Sequence, residues 1–322
     1  MPLTKFNREK IISMEKIDRY KGCLSGLAAG DALGTTLEFQ APGSFKPITD
    51  MVGGGPFHLK AGQWTDDTSM ALCLAESLIE CRGFDLKDQL KRYLRWYYEG
   101  HLSSTGRCFD IGNTTRKALL SFEKNPESYC GSADIWSEGN GSVMRLAPVP
   151  LFYSSVPKQA VDKSGESSET THGTQNAIDA CRYLGGLIAG AVNGVTKEEL
   201  LSGCYNPCGK KWDGADLTPE IYDIACGSFK YREPPEIKGS GHVVKSLEAA
   251  LWAFYKSDTF AQGCLKAVNL GDDADTTGAV YGQLAGACYG MQGIPARWSD
   301  KISYRQLIEQ FAIQLYELSL QH

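Results

Sequence analysis

Apolar residues recur along this chain three or four positions apart, which is the spacing that lines one face of an α-helix. Sustained alternation of β-branched and polar residues, which is typical of a half-buried strand, is almost absent. The pattern therefore predicts an all-α fold. Besides a helix that begins after Asp275, the predicted helices cover residues 20–34, 69–81, 86–98, 113–122, 176–192, 244–255, 259–268 and 304–318.

Glycine recurs at every fourth position in three of these helical segments. The three runs are Gly22, Gly26, Gly30 and Gly34; Gly278, Gly282, Gly286 and Gly290; and Gly186, Gly190 and Gly194. A glycine inside a helix costs about 1 kcal/mol relative to alanine, so the alternative is a weak helix or a loop. A spacing of four places the glycines on one face, where neighbouring backbones can approach closely. We therefore expect three central helices packed unusually close together.

Three long connections, marked by glycine and proline, separate the predicted helices at residues 41–62, 131–150 and 204–241. Long connections on a rigid helical body commonly carry binding groups, so we expect functional residues there. The polar stretch 164–174 is expected to be a surface excursion. No shift in composition marks a domain boundary. We therefore expect one domain over residues 1–322, of which residues 1–17 form an N-terminal extension.

Composition and charge narrow the class of protein. With 42% hydrophobic and 22% charged residues the chain resembles an ordinary globular protein, which excludes wholesale disorder. A net charge of −5 gives no electrostatic footprint for nucleic acid or an anionic membrane, so neither is expected as a partner. No apolar run suggests a membrane span or a secretory signal. The eleven cysteines are scattered mostly singly, which indicates a reducing compartment and a cytoplasmic location.

Two acidic clusters stand directly before apolar helical runs. One is Trp64-Thr65-Asp66-Asp67-Thr68, and the other is Gly271-Asp272-Asp273-Ala274-Asp275-Thr276-Thr277. Both mix carboxylates with hydroxyls, which are the oxygen ligands that Mg²⁺ prefers, and Mn²⁺ shares that preference. Adjacent carboxylates also repel one another unless a cation separates them. The clusters therefore predict a site for a pair of divalent ions, which can polarise a substrate and position a water molecule.

Helix capping is the alternative for either cluster taken alone, because Asp and Thr are favoured at N-caps. A cap needs only one carboxylate, however, and each cluster has more. Other kinds of site are excluded by spacing. The chain has neither a G-x-x-x-x-G-K-[ST] phosphate loop nor a G-x-S-x-G elbow, and its five histidines and the pair Cys204 and Cys208 form no zinc pattern.

Seven segments carry a resemblance to a known family. In order they are GCLSGLAAGDALGTTLEF, WTDDTSMALCLAESL, FDIGNTTRKAL, GNGSVMRLAPV, TTH, GSGHVVKSLEAALWAF and AVNLGDDADTTGAVYGQLAGACYG. They resemble the ADP-ribosylglycohydrolase family, whose founding bacterial member reactivates dinitrogenase reductase. The resemblance runs from about Asp18 to Trp298. Any one segment is a weak signal, whereas seven in order are specific.

The resemblance implies a compact orthogonal helical bundle with a binuclear metal site in a central cleft. It implies two Mg²⁺ or Mn²⁺ ions, with Asp272 outside the ligand set. The implied ligands are Thr65, Asp66, Asp67, Asp273, Asp275 and Thr276. The implied catalytic residues are Glu38, near the scissile bond, and Asp110, near the ribose. Taken alone, Glu38 is compatible with a surface glutamate, and Asp110 with a cap of the helix that begins at Asn113.

The same resemblance implies a set of substrate-binding residues around the diphosphate and ribose. They are Asn140, Gly141, Ser142, Met144, Arg145, His172, Gly239, Ser240, Gly241 and His242. His242 stands where relatives often have an aromatic residue that stacks on the ligand, so the chain departs from the family pattern there. Arg145 is equally compatible with a structural ion pair, and His172 with a structural hydrogen bond.

The implied reaction is hydrolysis of an ADP-ribosyl bond on a modified protein side chain, which releases ADP-ribose. Such a bond breaks through an oxocarbenium-like state, with Glu38 as the general base for an activated water. The FDIGNTT and GNGSVMRLAP segments are closest to the arginine-specific branch of the family. A hydrolase for serine-linked or other O-linked ADP-ribose, a non-enzymatic crystallin-like or ADP-ribose-binding member, and a binuclear phosphohydrolase are the alternatives.

Overall fold

The computed structural model describes residues 5–126 and 129–322, and of residues 5–14 it describes the backbone alone. Helices make up 57% of the chain and the described residues contain no β-strand, which confirms the all-α prediction. The α-helices are α1 (Lys5–Gly34), α2 (Asp66–Cys81), α3 (Leu86–Glu99), α4 (Asn113–Lys124), α5 (Pro148–Phe152), α6 (Pro157–Ser168), α7 (Gln175–Val192), α8 (Lys197–Leu200), α9 (Pro219–Cys226), α10 (Val243–Tyr255), α11 (Phe260–Val268), α12 (Ala274–Tyr289), α13 (Ala296–Ser299) and α14 (Arg305–Ser319). They form a single compact domain.

Every predicted helix is present, and most of their ends lie within a few residues of the predicted positions. The largest difference is α1, which begins at Lys5 and runs without a break across the predicted boundary at residue 17. Five helices were not predicted. Three of these, α5, α6 and α9, have proline in the first turn, where its missing N–H costs nothing but where it resembles a loop signal. The other two, α8 and α13, are four residues long.

The expected surface excursion at residues 164–174 is wrong. Its first part is the end of α6, and most of its hydroxyl side chains are buried and hydrogen-bonded inside the protein. Ser164 donates to the carbonyl oxygen of Ala160 at 2.6 Å, and Thr170 donates to that of Ser167 at 2.7 Å. Serine and threonine satisfy their hydroxyls on nearby backbone groups in this way, so a polar composition did not mean exposure.

Helices α1 and α12 lie antiparallel, with their glycine faces in direct contact. Gly22 meets Gly286 and Gly34 meets Ala274, so the C-terminal end of α1 adjoins the N-terminal end of α12. A Cβ atom added at Gly26 or Gly282 would overlap the backbone carbonyl of the opposite glycine. Backbone cannot move aside as a side chain can, which explains why these positions hold glycine.

The third glycine run does not join this contact, which corrects the expectation of three helices in glycine-mediated packing. Gly186 faces the side chain of Pro207, and Gly190 faces the hydroxyl of Tyr205. Helix α7 is connected to the central pair by Arg19 of α1 instead. Its guanidinium donates to the carbonyl oxygens of Ala191 at 3.1 Å and Cys288 at 2.9 Å, at the C-terminal ends of α7 and α12. Among the described helices none is both long and apolar enough to cross a membrane.

Replacing Gly282 by alanine is expected to destabilise the fold by about 3 kcal/mol, because the added methyl group meets a rigid backbone in a closely packed interface. Gly186→Ala is the matched control. It lies inside a helix too, but its new methyl group would meet the edge of the Pro207 side chain at 3.1 Å. Its cost is expected to stay within about 1 kcal/mol, since alanine also favours the helix. Chemical denaturation measures both, and equal effects would contradict the assignment of a tight α1–α12 contact.

Candidate active site

A cleft of about 680 Å³ lies where the C-terminal end of α1 meets the first turns of α2, α4 and α12. All three of the long predicted loops, 41–62, 131–150 and 204–241, contribute residues to its walls, the last through Gly241. The predicted site residues that line it are Glu38, Asp66, Asp110, Asn140, Gly141, Met144, His172, Gly241, Asp273, Asp275 and Thr276. The two acidic clusters therefore converge in one cleft although they lie far apart in the chain.

Asp31, in the last turn of α1, connects that helix to the start of α2. One carboxylate oxygen accepts the backbone N–H of Thr65 at 2.8 Å and its hydroxyl at 3.0 Å. The other accepts the backbone N–H of Thr68 at 3.0 Å and its hydroxyl at 2.6 Å. Asp31 thus satisfies N–H groups at the N-terminus of α2 that have no partner within the helix. The positive end of that helix in turn stabilises the buried carboxylate.

The carboxylates form two groups of three that share one member. Oxygens of Asp31, Asp67 and Asp275 lie within 4.8 Å of one another, and so do oxygens of Glu38, Asp110 and Asp275. One oxygen of each of Asp67, Asp275 and Glu38 is buried and has no hydrogen-bond partner among the described residues. A buried carboxylate oxygen without a partner is costly, so these atoms are open positions for a cation.

Two hydroxyls lie among these carboxylates. The Thr65 oxygen is 3.1 Å from Asp67 and 3.1 Å from Asp275, and the Thr276 oxygen is 3.5 Å from Asp67. The capping alternative fails in both clusters. Thr65 and Asp273 are the N-cap residues of α2 and α12, and neither makes a side-chain capping hydrogen bond. Instead, Asp66, Asp273, Asp275 and Thr276 line the cleft.

Burial raises the pKa of the carboxyl groups in the cleft. The pKa of Asp31 rises to about 6 for this reason. Burial, together with neighbouring carboxylates, raises the pKa of Asp110 to about 7 and that of Glu38 to about 10. The same two causes place the pKa values of Asp66, Asp67 and Asp275 well above the usual range. Without cations, the folded chain therefore holds several of these groups protonated at neutral pH.

Glu38 and Asp110 come from two loops that meet at the cleft. Glu38 is only 2% exposed, so it is not a surface glutamate. Asp110 has a left-handed backbone with φ +62°, and helix α4 is capped at Gly112, so Asp110 does not cap it. Non-glycine residues in this conformation cost energy and gather at functional sites. Phe39 shares the conformation, with φ +61°, and hydrogen-bonds through its backbone N–H to Asp272 at 2.7 Å.

The opposite wall is built from the two predicted glycine-rich loops. Asn140 donates from its side chain to Asp273 at 2.6 Å, and its backbone N–H donates to the carbonyl of Gly241 at 3.1 Å. The backbone N–H of Asp273 donates to the carbonyl of Gly239 at 2.8 Å. These bonds connect the loops around Asn140 and Gly241 to Asp273, in the second acidic cluster. The cleft walls are therefore joined before any ligand arrives.

Several predicted substrate-binding residues do not line the cleft. Ser142 is buried and hydrogen-bonds to Ser168 at 2.9 Å. Arg145 is fully buried and donates to uncharged groups, so it is structural but not an ion-pair partner. His242 caps α10 and pairs with Glu138 at 3.1 Å. Together with Gly239 and Ser240, they are absent from the described residues that line the cleft.

Three features of the site were not predicted. Asp31 is the sole acidic residue in the glycine-spaced part of α1, and that isolation was the signal that could have identified it. The first turn of α4, Asn113 to Thr115, lines the cleft with backbone N–H groups that have no partner within the helix. Phe39 and Phe57 also line the cleft, with ring centroids 6.5 Å apart. Phe39 ends the segment GCLSGLAAGDALGTTLEF, but its place there does not indicate a cleft residue, and Phe57 lies outside all seven segments.

Comparison with known proteins agrees with this geometry. The family model described as ADP-ribosylglycohydrolase matches residues 13–322. An ADP-ribosylarginine hydrolase Tri1 from Pseudomonas putida (strain GB-1) is 43% identical over 94% of this chain and 79% of its own length. Its namesake from Serratia proteamaculans (strain 568) is 42% identical over 95% of this chain and 81% of its own.

More distant relatives and solved structures agree as well. The ADP-ribosyl-[dinitrogen reductase] glycohydrolase of Rhodospirillum rubrum is 30% identical over 89% of this chain and 91% of its own length. A solved structure titled "ADP-ribosylglycohydrolase-related protein complex" superposes with a TM-score of 0.84 at 44% identity, and covers 95% of this chain and 99% of that one. With its acidic cleft, its helical fold and these matches, the chain belongs to the ADP-ribosylglycohydrolase family.

Proposed function

We propose that this protein is a metal-dependent hydrolase that removes ADP-ribose from modified arginine side chains of proteins. The observation that carries the proposal is the pair of three-carboxylate groups that share Asp275 in a cleft large enough for a nucleotide. Curated relatives at 42–43% identity are named ADP-ribosylarginine hydrolases, which supports the arginine linkage. The substrate partner is therefore an ADP-ribosylated protein, and ADP-ribose is the product.

The donor set fits two hard divalent cations, Mg²⁺ or Mn²⁺. Carboxylate and hydroxyl oxygens are the ligands that these ions prefer, and one oxygen of each of Asp67, Asp275 and Glu38 is buried without a hydrogen-bond partner among the described residues. The residues that would hold the ions are Asp31, Thr65, Asp66, Asp67, Asp273, Asp275 and Thr276. When bound, such ions polarise the sugar hydroxyls and water by Lewis acidity.

Other residues of the cleft would provide the general base and bind the diphosphate. Glu38 accepts the proton of the attacking water. Burial raises its pKa, and the positive charge of cations bound nearby would lower it again, so that the carboxylate acts as a base. The first turn of α4 presents its free backbone N–H groups to the diphosphate, because the N-terminus of a helix attracts anions. Asn140 and Gly141 bound the same space on the opposite wall. Binding of the remote adenosine diphosphate holds the ribose in place for reaction.

The arginine linkage follows from the chemistry of the leaving group. The modified guanidinium is a cation in the substrate, and the guanidine that leaves is strongly basic, so it ends as guanidinium with the proton that the attacking water releases. Asp110 offers that cation a carboxylate, and Phe39 and Phe57 line the same cleft with aromatic faces that attract a guanidinium. Phe39 is 68% exposed, which leaves its ring accessible to a side chain that enters from solvent. A serine leaving group carries no charge and gains nothing from these neighbours.

Arginine-linked and serine-linked ADP-ribosyl peptides, offered at equal concentration, provide the first test. The expected result is a higher kcat/KM for the arginine conjugate. Asp110→Ala is expected to lower that kcat/KM by about 100-fold while the affinity for free ADP-ribose changes little, because the lost carboxylate acts on the leaving group. A preference for the serine conjugate, or full arginine activity in Asp110→Ala, would exclude the arginine assignment.

Asp275→Asn removes the shared carboxylate charge without removing volume. Turnover is expected to fall by more than about 100-fold, since changes even beyond the ligand shell cost metal sites 10–100-fold. The melting temperature without metal is expected to rise, because the neutral amide removes the cost of holding the Asp275 carboxyl protonated in the folded state at neutral pH. Asp272→Asn is the control, because Asp272 borders the cleft but belongs to neither carboxylate group. Equal activity in the two variants would mean that the carboxylate groups are not metal ligands.

The stability of the metal-free protein is expected to fall as pH rises from 5 to 8. Above about pH 4 the unfolded chain has released its carboxyl protons, whereas the folded chain retains them on groups such as Asp31 and Asp110, with pKa values of about 6 and 7. The folded state then binds more protons, so the free energy of unfolding decreases with pH.

Millimolar Mg²⁺ or Mn²⁺ is expected to reverse this loss. The melting temperature should rise by about 5 °C when the metal concentration is 100-fold above its dissociation constant. The rise should be larger at pH 8 than at pH 5, because the ions compete with protons for the carboxylates. Differential scanning calorimetry at both pH values measures it. Absence of any shift at either pH would refute the metal site itself.

A further inference from the structure

The ring of His172 lies between the cleft and a buried polar network. Its Nε2 atom faces the glycine loop, since a Cβ atom added at Gly139 or Gly141 would lie 3.2 Å from it. His172 lines the cleft, yet the residue as a whole is only 2% exposed. Glycine at these two positions therefore leaves Nε2 open to a bound ligand while the rest of the ring is enclosed.

The other ring nitrogen, Nδ1, lies 2.8 Å from the hydroxyl oxygen of Thr171. That oxygen accepts a hydrogen bond from Nη2 of Arg145 at 2.7 Å. Arg145 always donates, because its guanidinium stays protonated and has no acceptor atom. Its position is fixed by three further contacts, which are the hydroxyl of Thr170 at 2.9 Å, the carbonyl of Gly141, and the ring of Tyr93 at 4.9 Å.

Only one placement of the protons satisfies the hydrogen bonds that link Arg145, Thr171 and His172. Among the described residues, Arg145 and His172 are the hydrogen-bond partners of the Thr171 hydroxyl, which is fully buried. Because Arg145 donates to it, the hydroxyl proton can be accepted only by Nδ1 of His172. If Nδ1 carried a proton instead, two donors would face the same oxygen and the hydroxyl proton would be buried without an acceptor, which is costly.

A doubly protonated ring is disfavoured as well. Burial, and then the nearby charge of Arg145, lower the pKa of His172 to about 3. The ring is therefore neutral over the physiological range, with its single proton on Nε2. The atom that faces the cleft is a hydrogen-bond donor that brings no charge with it.

We propose that Arg145 and Thr171 are positioning residues that hold His172 as the Nε2–H tautomer, which donates a hydrogen bond to an oxygen of bound ADP-ribose. The identity of this ligand rests on the proposed function, whereas the tautomer rests on the protein alone. Arg145 thus affects ligand binding through this network, although it does not line the cleft. Thr171, the middle residue of the TTH segment, determines which nitrogen of His172 carries the proton.

The first experiment is nitrogen-15 NMR of the histidine rings in the metal-free and Mg²⁺-loaded protein. The expected spectrum assigns His172 to the neutral Nε2–H form, unchanged between pH 5 and 8. His172→Gln identifies its signals among the five histidines. An Nδ1–H form, or a ring that titrates within this range, would overturn the proposal whether or not the protein hydrolyses any substrate.

The second experiment compares Thr171→Val with Thr170→Val. Both threonines are buried and accept from Arg145, but Thr170 donates to the carbonyl of Ser167 and does not touch His172. Thr171→Val is expected to populate the Nδ1–H form, to weaken ADP-ribose binding by about threefold to tenfold, and to raise KM with kcat nearly unchanged. Thr171→Ser should restore wild-type values. Thr170→Val should keep the Nε2–H form, because Thr171 still joins Arg145 to His172, and should weaken ADP-ribose binding less than Thr171→Val does.

The two variants also separate this role from general stability. If Thr171→Val and Thr170→Val weaken ADP-ribose equally and leave the His172 spectrum unchanged, the threonines are merely structural and the proposal is wrong. If the wild-type protein binds no ADP-ribose, the proposed function fails, and the NMR spectrum still decides the tautomer. Melting temperatures of all three variants identify any that fail to fold, in which case the wild-type spectrum remains decisive.

Discussion

The contact between helices α1 and α12 is the constraint on which the rest of the structure depends. Facing glycines let the two backbones touch, and no residue with a Cβ atom fits there. Because the helices are antiparallel, the last turn of α1 lies against the first turn of α12. Asp31 and Asp275 are thereby brought together from opposite ends of the chain. The catalytic cleft is a direct consequence of this packing.

The same packing creates an electrostatic cost. Carboxylates from α1, α2, α12 and two loops are buried together, and burial, with the neighbouring carboxylates, raises their pKa values. Several features offset the cost. The N-terminal end of α2 faces Asp31, the hydroxyls of Thr65 and Thr276 lie among the carboxylates, and Asn140 donates to Asp273. Divalent cations would offset the remainder, which explains why stability and metal binding are expected to be coupled.

Much of the fold could be predicted because helical periodicity and glycine spacing are local signals. The helices that were missed begin with proline or are very short, and a single sequence does not distinguish them from loops. The glycines of α7 could not be separated from those of α1 and α12, because spacing alone does not say whether backbone or a side chain lies opposite.

The candidate site, like the fold, could be predicted only where the sequence carries a local signal. The paired acidic clusters could be recognised from their sequence, and the structure places both in one cleft. Asp31 was missed because its partners, Thr65 and Thr68, come from another helix. Arg145 and His242 resemble binding residues in sequence; their side chains contact protein groups and do not line the cleft. Only the three-dimensional arrangement reveals which way a side chain points from its loop.

A pair of cations is expected to bind where the two acidic clusters, around Asp66–Asp67 and Asp273–Asp275, meet in the cleft. Electron paramagnetic resonance of the Mn²⁺-titrated protein tests it most directly, because two ions close together are magnetically coupled. Two bound Mn²⁺ per chain are expected, with the spectrum of a coupled pair, and Asp275→Asn is expected to lose that coupling. A six-line spectrum of isolated Mn²⁺ at one ion per chain would contradict this claim, and so would an Asp275→Asn spectrum identical to that of the wild type.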